Sequence, residues 1–205
     1  MKVKMIIFAT MMAIASVAHA QTENKKGFEI SEISISSGKG ALTSGFDSYV
    51  GFSHGENGIL FFQANNDRLC INIGKSFGNL KLIESVGVFK NIPWTGPMIL
   101  YQLGPIDMIA WNGFGFAKNK EVTVPGWKPQ FFVSYEGLGL TFLKSNRIGA
   151  SVMWFATAPM NWFISYKKVI PVNENSKFYG EITYNHNLDI PMFNLGYTYR
   201  FTTKK

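Results

Sequence analysis

Cysteine is almost absent from this chain of 205 residues; Cys70 stands alone. An intramolecular disulfide framework and any multi-cysteine zinc site are therefore excluded. Charge is scarce as well, at 16% of residues, which argues against a coiled coil and against a charged disordered tail. Past the N-terminal segment no run reaches 18 uninterrupted apolar residues, so the rest of the chain offers no transmembrane helix. Internal repeats and low-complexity tracts are missing, and so is any lysine–arginine cluster of the kind that nucleic acid requires. Aromatic side chains, at 15%, and glycine, with 20 residues, are plentiful. Aromatics pack on pleated faces and glycine makes turns, so the balance points to an all-β fold.

Residues 1–20 read as an export signal. Lys2 and Lys4 give a positive start, residues 5–17 are almost wholly apolar, and Ala18-His19-Ala20 has the form of a cleavage site before Gln21. The mature domain is then expected over residues 21–205. Its formal charge falls from +7 to +5, because two lysines leave with the signal. An exported chain is not expected to act in the cytosol.

The mature chain alternates. Near its end Phe193, Leu195, Tyr197, Tyr199 and Phe201 share one face, and Asn194, Gly196, Thr198 and Arg200 share the other. The preceding run sets Phe178, Gly180, Ile182 and Tyr184 against Tyr179, Glu181, Thr183 and Asn185. A period of two is the mark of a strand with unlike faces. Pairing Ile182 with Tyr197, Phe178 with Phe201 and Tyr184 with Leu195 aligns the apolar faces and the polar faces. That register sets Glu181 opposite Thr198 and diagonal to Arg200. Further upstream Ile148, Ala150, Val152 and Trp154 share a face, as do Trp162, Ile164 and Tyr166. The opposite face there carries Met153, Phe155 and Phe163, so it is not purely polar.

Short apolar runs separated by Gly, Pro, Asn and Asp give about twelve strands, with eight to twelve compatible. They are expected over 28–36, 47–54, 58–65, 69–76, 80–90, 97–103, 105–117, 130–143, 147–157, 161–170, 177–186 and 192–202. Gly137 and Gly139 mark either a bulge in one long strand or a hairpin between two short ones. The longest connections, 37–46 and 118–129, join an odd strand to an even one.

With these features the chain resembles the outer-membrane β-barrels of Gram-negative bacteria as a class. The run Phe193-x-Leu195-x-Tyr197-x-Tyr199-x-Phe201 is similar to the last-strand signal of such proteins, except that Thr202-Thr203-Lys204-Lys205 follow it. The resemblance implies a single transmembrane, antiparallel, up-and-down barrel in the cell outer membrane. It also implies contact with outer-membrane lipid and lipopolysaccharide, and delivery by the barrel assembly machinery through the last strand. Lys118, Lys120 and Lys128 are candidates for lipopolysaccharide phosphates. Trp94, Trp111, Trp127, Trp154 and Trp162 fall near strand ends or in loops, as interfacial girdles do. A soluble secreted β-sandwich or barrel that binds a lipid or surface ligand shares the alternation; it differs in burying the apolar face.

Chemistry is thinly represented. Ser53 and His54 are neighbours on a strand and point to opposite faces. His186 ends a strand near Glu181 and Asp189 without a serine beside it, so a barrel enzyme acting on lipid lacks its nucleophile. Cys70 reads as a small hydrophobe. No cofactor motif or metal-ligand spacing is present. The polar face remains. Arg147, Lys167, Glu181, Asn185, Asn194, Thr198 and Arg200 are the candidate lumen-lining residues. They fit two readings: a pore that favours anionic solutes, or a closed lumen filled by a network such as Glu181 with Arg200. The functional expectation is a non-enzymatic barrel, either a small channel for polar solutes or a structural element.

Overall fold

The computed structural model of the protein describes residues 29–39, 44–54, 57–65, 68–89, 92–118, 127–155, 158–187 and 189–201. The expected export segment 1–20 and the closing residues 202–205 lie outside them. Among the described residues there are twelve strands: β1 (Glu29–Lys39), β2 (Ser44–His54), β3 (Gly58–Asn65), β4 (Arg68–Phe77), β5 (Leu80–Phe89), β6 (Ile92–Leu103), β7 (Ile106–Lys118), β8 (Trp127–Phe142), β9 (Asn146–Phe155), β10 (Ala158–Pro171), β11 (Ser176–Asn185) and β12 (Ile190–Arg200). Each strand pairs antiparallel with its neighbours in sequence, and β1 pairs with β12, so the sheet closes on itself. Closure leaves no unpaired strand edge, the condition for a sheet surrounded by hydrocarbon.

Alternation decides which way each side chain points. The outer face is an exposed apolar surface on β1 and on β4 to β12, including Ile35, Ile71, Val86, Leu138, Ile148 and Phe193; Ile164 is 62% exposed and Leu195 70%. A soluble protein rarely leaves so large an apolar area uncovered. The soluble alternative expects this face to be buried; it is exposed on β4 to β12 and at Ile35, and buried where Ile30, Val50 and Phe52 pack together on β1 and β2. Two carboxylates interrupt the belt, each with a nearby hydroxyl. Thr95 Oγ1 donates to Glu84 Oε1 at 2.7 Å, and Ser134 Oγ to Glu136 Oε1 at 3.4 Å.

Several expected boundaries move. The strand expected over 97–103 begins at Ile92 and runs 12 residues. β1 and β2 extend into the expected loop 37–46 and leave only 40–43 between them, so this connection is no longer than 172–175. Residues 119–126 remain the longest connection; Lys120 lies in it, outside the described residues, as do the side chains of Lys118 and Lys128. The Gly137–Gly139 stretch is neither a bulge nor a hairpin. β8 runs through it unbroken, and the irregularity of the β7–β8 pair falls at Gly115 and Phe116. Two-residue connections at 78–79 and 104–105 turn through Gly78 and Gly104, at φ of 59° and 57°. That left-handed region is one a side chain rarely adopts.

The β11–β12 register also differs from expectation. Ile182 pairs with Phe193, Phe178 with Tyr197 and Tyr184 with Pro191, four residues from the expected partners on β12. The hairpin closes earlier, with Asn185 opposite Ile190, and Asn185 Oδ1 accepts from the Asn187 amide at 2.9 Å inside the turn. A slip of four residues keeps every side chain on its face, so the alternation alone cannot detect it.

Candidate functional site

The barrel interior has two layers. Toward the odd-to-even end it is apolar on β4 to β10, while Asp47, Asn65 and Arg68 stand at that end of β2 to β4. Cys70, Trp94, Trp111, Val133, Met153 and Phe163 are buried together there, with Met98, Tyr135 and Met192 against them. Cys70, Trp94, Met153 and Met192 each stand two residues from a strand end at that side. Trp94 and Trp111 meet edge to face at 5.3 Å and 84°, the arrangement that ring quadrupoles favour. Both indole N–H groups are buried without a partner among the described residues.

These two tryptophans correct the girdle expectation. Proximity to a strand end suits a girdle, but parity decides the face, and Trp94 pairs with Gly87 and Gly115 on the lumen side. Trp154 and Trp162 do project outward, exposed near strand ends. The Trp127 side chain is outside the described set. Cys70 packs in the apolar layer, with the Asn72 amide 3.5 Å from its sulfur.

Toward the even-to-odd end the interior is charged. Arg147 pairs with Lys167, Lys167 with Glu181, and Glu181 with Asn194 across four adjacent strands, which brings four of the candidate residues into one row. Arg147 Nε donates to Asp107 Oδ2 at 2.8 Å, and Nη2 to Oδ1 at 2.5 Å. The guanidinium lies where a side chain on Gly139 would be: a Cβ there would stand 2.2 Å from Arg147 Nη2. Gly139 is opposite Gly149 and Asp107, so the glycines of β8 and β9 clear the floor on which Arg147 rests. Lys167 Nζ sits 3.8 Å from the centroid of the Tyr179 ring, and this ring in turn covers Gly196.

Arg200 does not pair with Glu181. Its Nε donates to Glu32 Oε2 at 2.6 Å, because the observed register sets Glu181 opposite Asn194 and the barrel seam sets Arg200 opposite Glu32. Thr198 and Ser34 share a hydroxyl hydrogen bond of 3.0 Å beside it. Asn185 is buried in the β11–β12 turn, and Asn194 is buried with its Oδ1 unpartnered among the described residues. His186 is exposed in the same turn, its backbone N–H donating to Trp162 O at 3.0 Å. The His54 side chain is not described. Among the described residues no group of three or more His, Cys, Asp or Glu could hold a metal ion.

A cavity of about 270 Å³ opens between β1–β3 and β10–β12. Its lining adds residues that the sequence did not single out: Asp47, Tyr49, Gln63, Lys177 and Tyr179. Tyr49 counts as apolar in a period-two pattern, although its hydroxyl suits a polar lumen. Asp107 was hidden for another reason. Its lumen-facing neighbours on β7 are Ile109 and Trp111, so the alternation around it reads apolar on both faces.

No protein-family model matches this sequence, and no curated protein sequence matches it. Solved structures do. A membrane protein crystallised in meso aligns at a TM-score of 0.58 and 8% identity, covering 86% of each chain. The NanC porin aligns at 0.54 and 6% identity, covering 84% of this chain and all of that one. Against a third structure, a porin, the TM-score is 0.42 at 11% identity, and this chain spans 64% of the porin's length. At such identities the likeness is of fold alone.

Proposed function

With the fold of an outer-membrane β-barrel as premise, we propose that this protein resides in the outer membrane as a narrow channel for small polar solutes. The observation that carries the reading is the charged lumen layer, with its cavity, inside an apolar outer belt. A polar solute is stabilised by the charged layer relative to lipid, while the apolar layer limits its size. By this reading the start of β1, the end of β12 and the even-to-odd ends of the strands face the periplasm, and the odd-to-even ends face outside. Lipopolysaccharide around the rim, and assembly machinery acting on β12, are the expected partners. Proteoliposome swelling with sugars and amino acids of increasing size tests the channel. Swelling should fall off steeply with solute size, and its absence for every solute would leave a structural barrel.

A structural role is the second reading. It is favoured by the buried Trp94–Trp111 layer and by the two ion pairs, Arg147–Asp107 and Arg200–Glu32. Under both readings the protein is not an enzyme, and His186→Ala should leave envelope lipid composition unchanged.

A further inference from the structure

Lys168 interrupts the apolar outer face of β10. It shares that face with the exposed Ile164, Tyr166 and Ile170, and stands close to the strand's even-to-odd end at Pro171. Across the sheet it pairs with Asn146, the first residue of β9, and with Gly180 on β11. The lysine is held in place there. Its Nζ donates to Asn146 Oδ1 at 3.2 Å and to Ser145 Oγ at 3.4 Å, and the Tyr166 hydroxyl donates to the same Asn146 oxygen at 2.7 Å. An ammonium offers more donors than these two acceptors use. Lys144, exposed in the β8–β9 turn, directly precedes Ser145. Neither lysine forms an ion pair among the described residues, whereas Arg147 and Arg200 inside the barrel each hold a carboxylate.

Beside the lysines the outer face is apolar. Gly180 carries no side chain, so none from β11 separates Lys168 from the exposed Leu195, which pairs with Gly180 on β12. Tyr166 and Ile182, themselves paired, border this strip on the side away from the rim. Leu143, 81% exposed, precedes Lys144 in the turn. Cations at a strand end, a tyrosine beside them and an apolar strip beyond match both parts of a lipid, its phosphate and its acyl chains. A dissolved anion leaves the strip without a partner, and an acyl chain alone leaves the ammonium groups unneutralised. A zwitterionic headgroup brings an ammonium of its own against two lysines. We propose that this part of the rim binds an anionic phospholipid, its phosphate between Lys144 and Lys168 and an acyl chain along Gly180 and Leu195. The proposal rests on the outer-membrane reading, by which the even-to-odd end lies in the periplasmic leaflet.

The test uses the full barrel purified in detergent, with folding checked by heat-dependent migration on gels. Native mass spectrometry measures retained lipid as palmitoyl-oleoyl phosphatidylglycerol, or the matching phosphatidylethanolamine, is titrated in. Phosphatidylglycerol should bind about tenfold more tightly, as expected where two lysines face one phosphate. Lys144→Gln with Lys168→Gln should abolish that preference. Lys75→Gln with Lys81→Gln removes the same charge from β4 and β5 and should leave the preference intact. Equal affinity for the two lipids, or an equal loss in both double variants, overturns the proposal. Flotation with phosphatidylcholine vesicles reports separately on the membrane. A barrel that inserts without the preference loses this site alone, and one that does not insert loses the outer-membrane reading as well.

Discussion

Arg147 on β9 reaches over Gly139 of β8 and holds Asp107 on β7 by two hydrogen bonds. The pair ties together two strands that do not touch in the sheet. Removing one partner leaves the other charge in the lumen unpaired, which is more harmful than losing a neutral contact. The Arg147 and Asp107 side chains are 27% and 37% exposed, so solvent moderates the effect. Asp107→Ala should therefore destabilise the barrel by about 1–2 kcal/mol, within the range for a stranded polar group. Gly139→Val should do comparable harm by occupying the guanidinium's place. Urea unfolding in detergent or lipid measures both, and wild-type stability in Asp107→Ala would show that the pair is energetically idle.

Trp111 and Trp94 narrow the lumen by packing edge to face. Trp111→Ala removes a large buried side chain, for which about 3 kcal/mol of lost stability is typical. If the channel reading holds, single-channel conductance in planar bilayers should rise several-fold. An unchanged conductance in a folded variant would place the constriction elsewhere.

Glu84 and Glu136 lie on the apolar outer surface, each with one hydroxyl hydrogen bond. Where lipid covers such a surface, charge is unfavourable, and less so for carboxylates than for arginine. Glu136→Leu should accordingly stabilise the barrel by roughly 1 kcal/mol, a gain read from the urea midpoint. The opposite change, Ile164→Arg, should lose about 2–4 kcal/mol if the site lies near the bilayer midplane. A neutral result for Ile164→Arg would mean that lipid does not cover this face.

The β11–β12 register can be read chemically. In a Cys70→Ser background, Ile182→Cys with Phe193→Cys should cross-link on mild oxidation, because the two positions are paired. Ile182→Cys with Tyr197→Cys should not. The reverse pattern would restore the register that aligns Ile182 with Tyr197.

Faces and strand number were legible because one residue in two advertises its surroundings. Phe193, Leu195, Asn194 and Thr198 show their sides in the sequence alone. Register was not legible, since an even slip leaves that pattern untouched, and only the turn at Asn185 and Ile190 sets it. The contents of the lumen were partly legible. Arg147 and Lys167 stand out as charges in apolar strands, but nothing local links Arg147 to Asp107, forty residues earlier. Gly137 and Gly139 could be marked as unusual without revealing why. The role of Gly139 is clearance for Arg147 from the next strand. Trp94 and Trp111 misled because an aromatic near a strand end suits two surroundings, lipid headgroups and a filled lumen, and the side chain's parity chooses between them.

The seam between β1 and β12 has a further consequence. A ring of strands must be joined at its two ends, and the period-two pattern would accept that joint shifted by two residues in either direction. Glu32 with Arg200, and Ser34 with Thr198, stand in adjacent lumen-facing positions across it. A joint displaced by two would set Arg200 against Ser34 and leave Glu32 without its cation. The two pairs therefore act as a key: they recognise one circumference among several that the backbone alone could close.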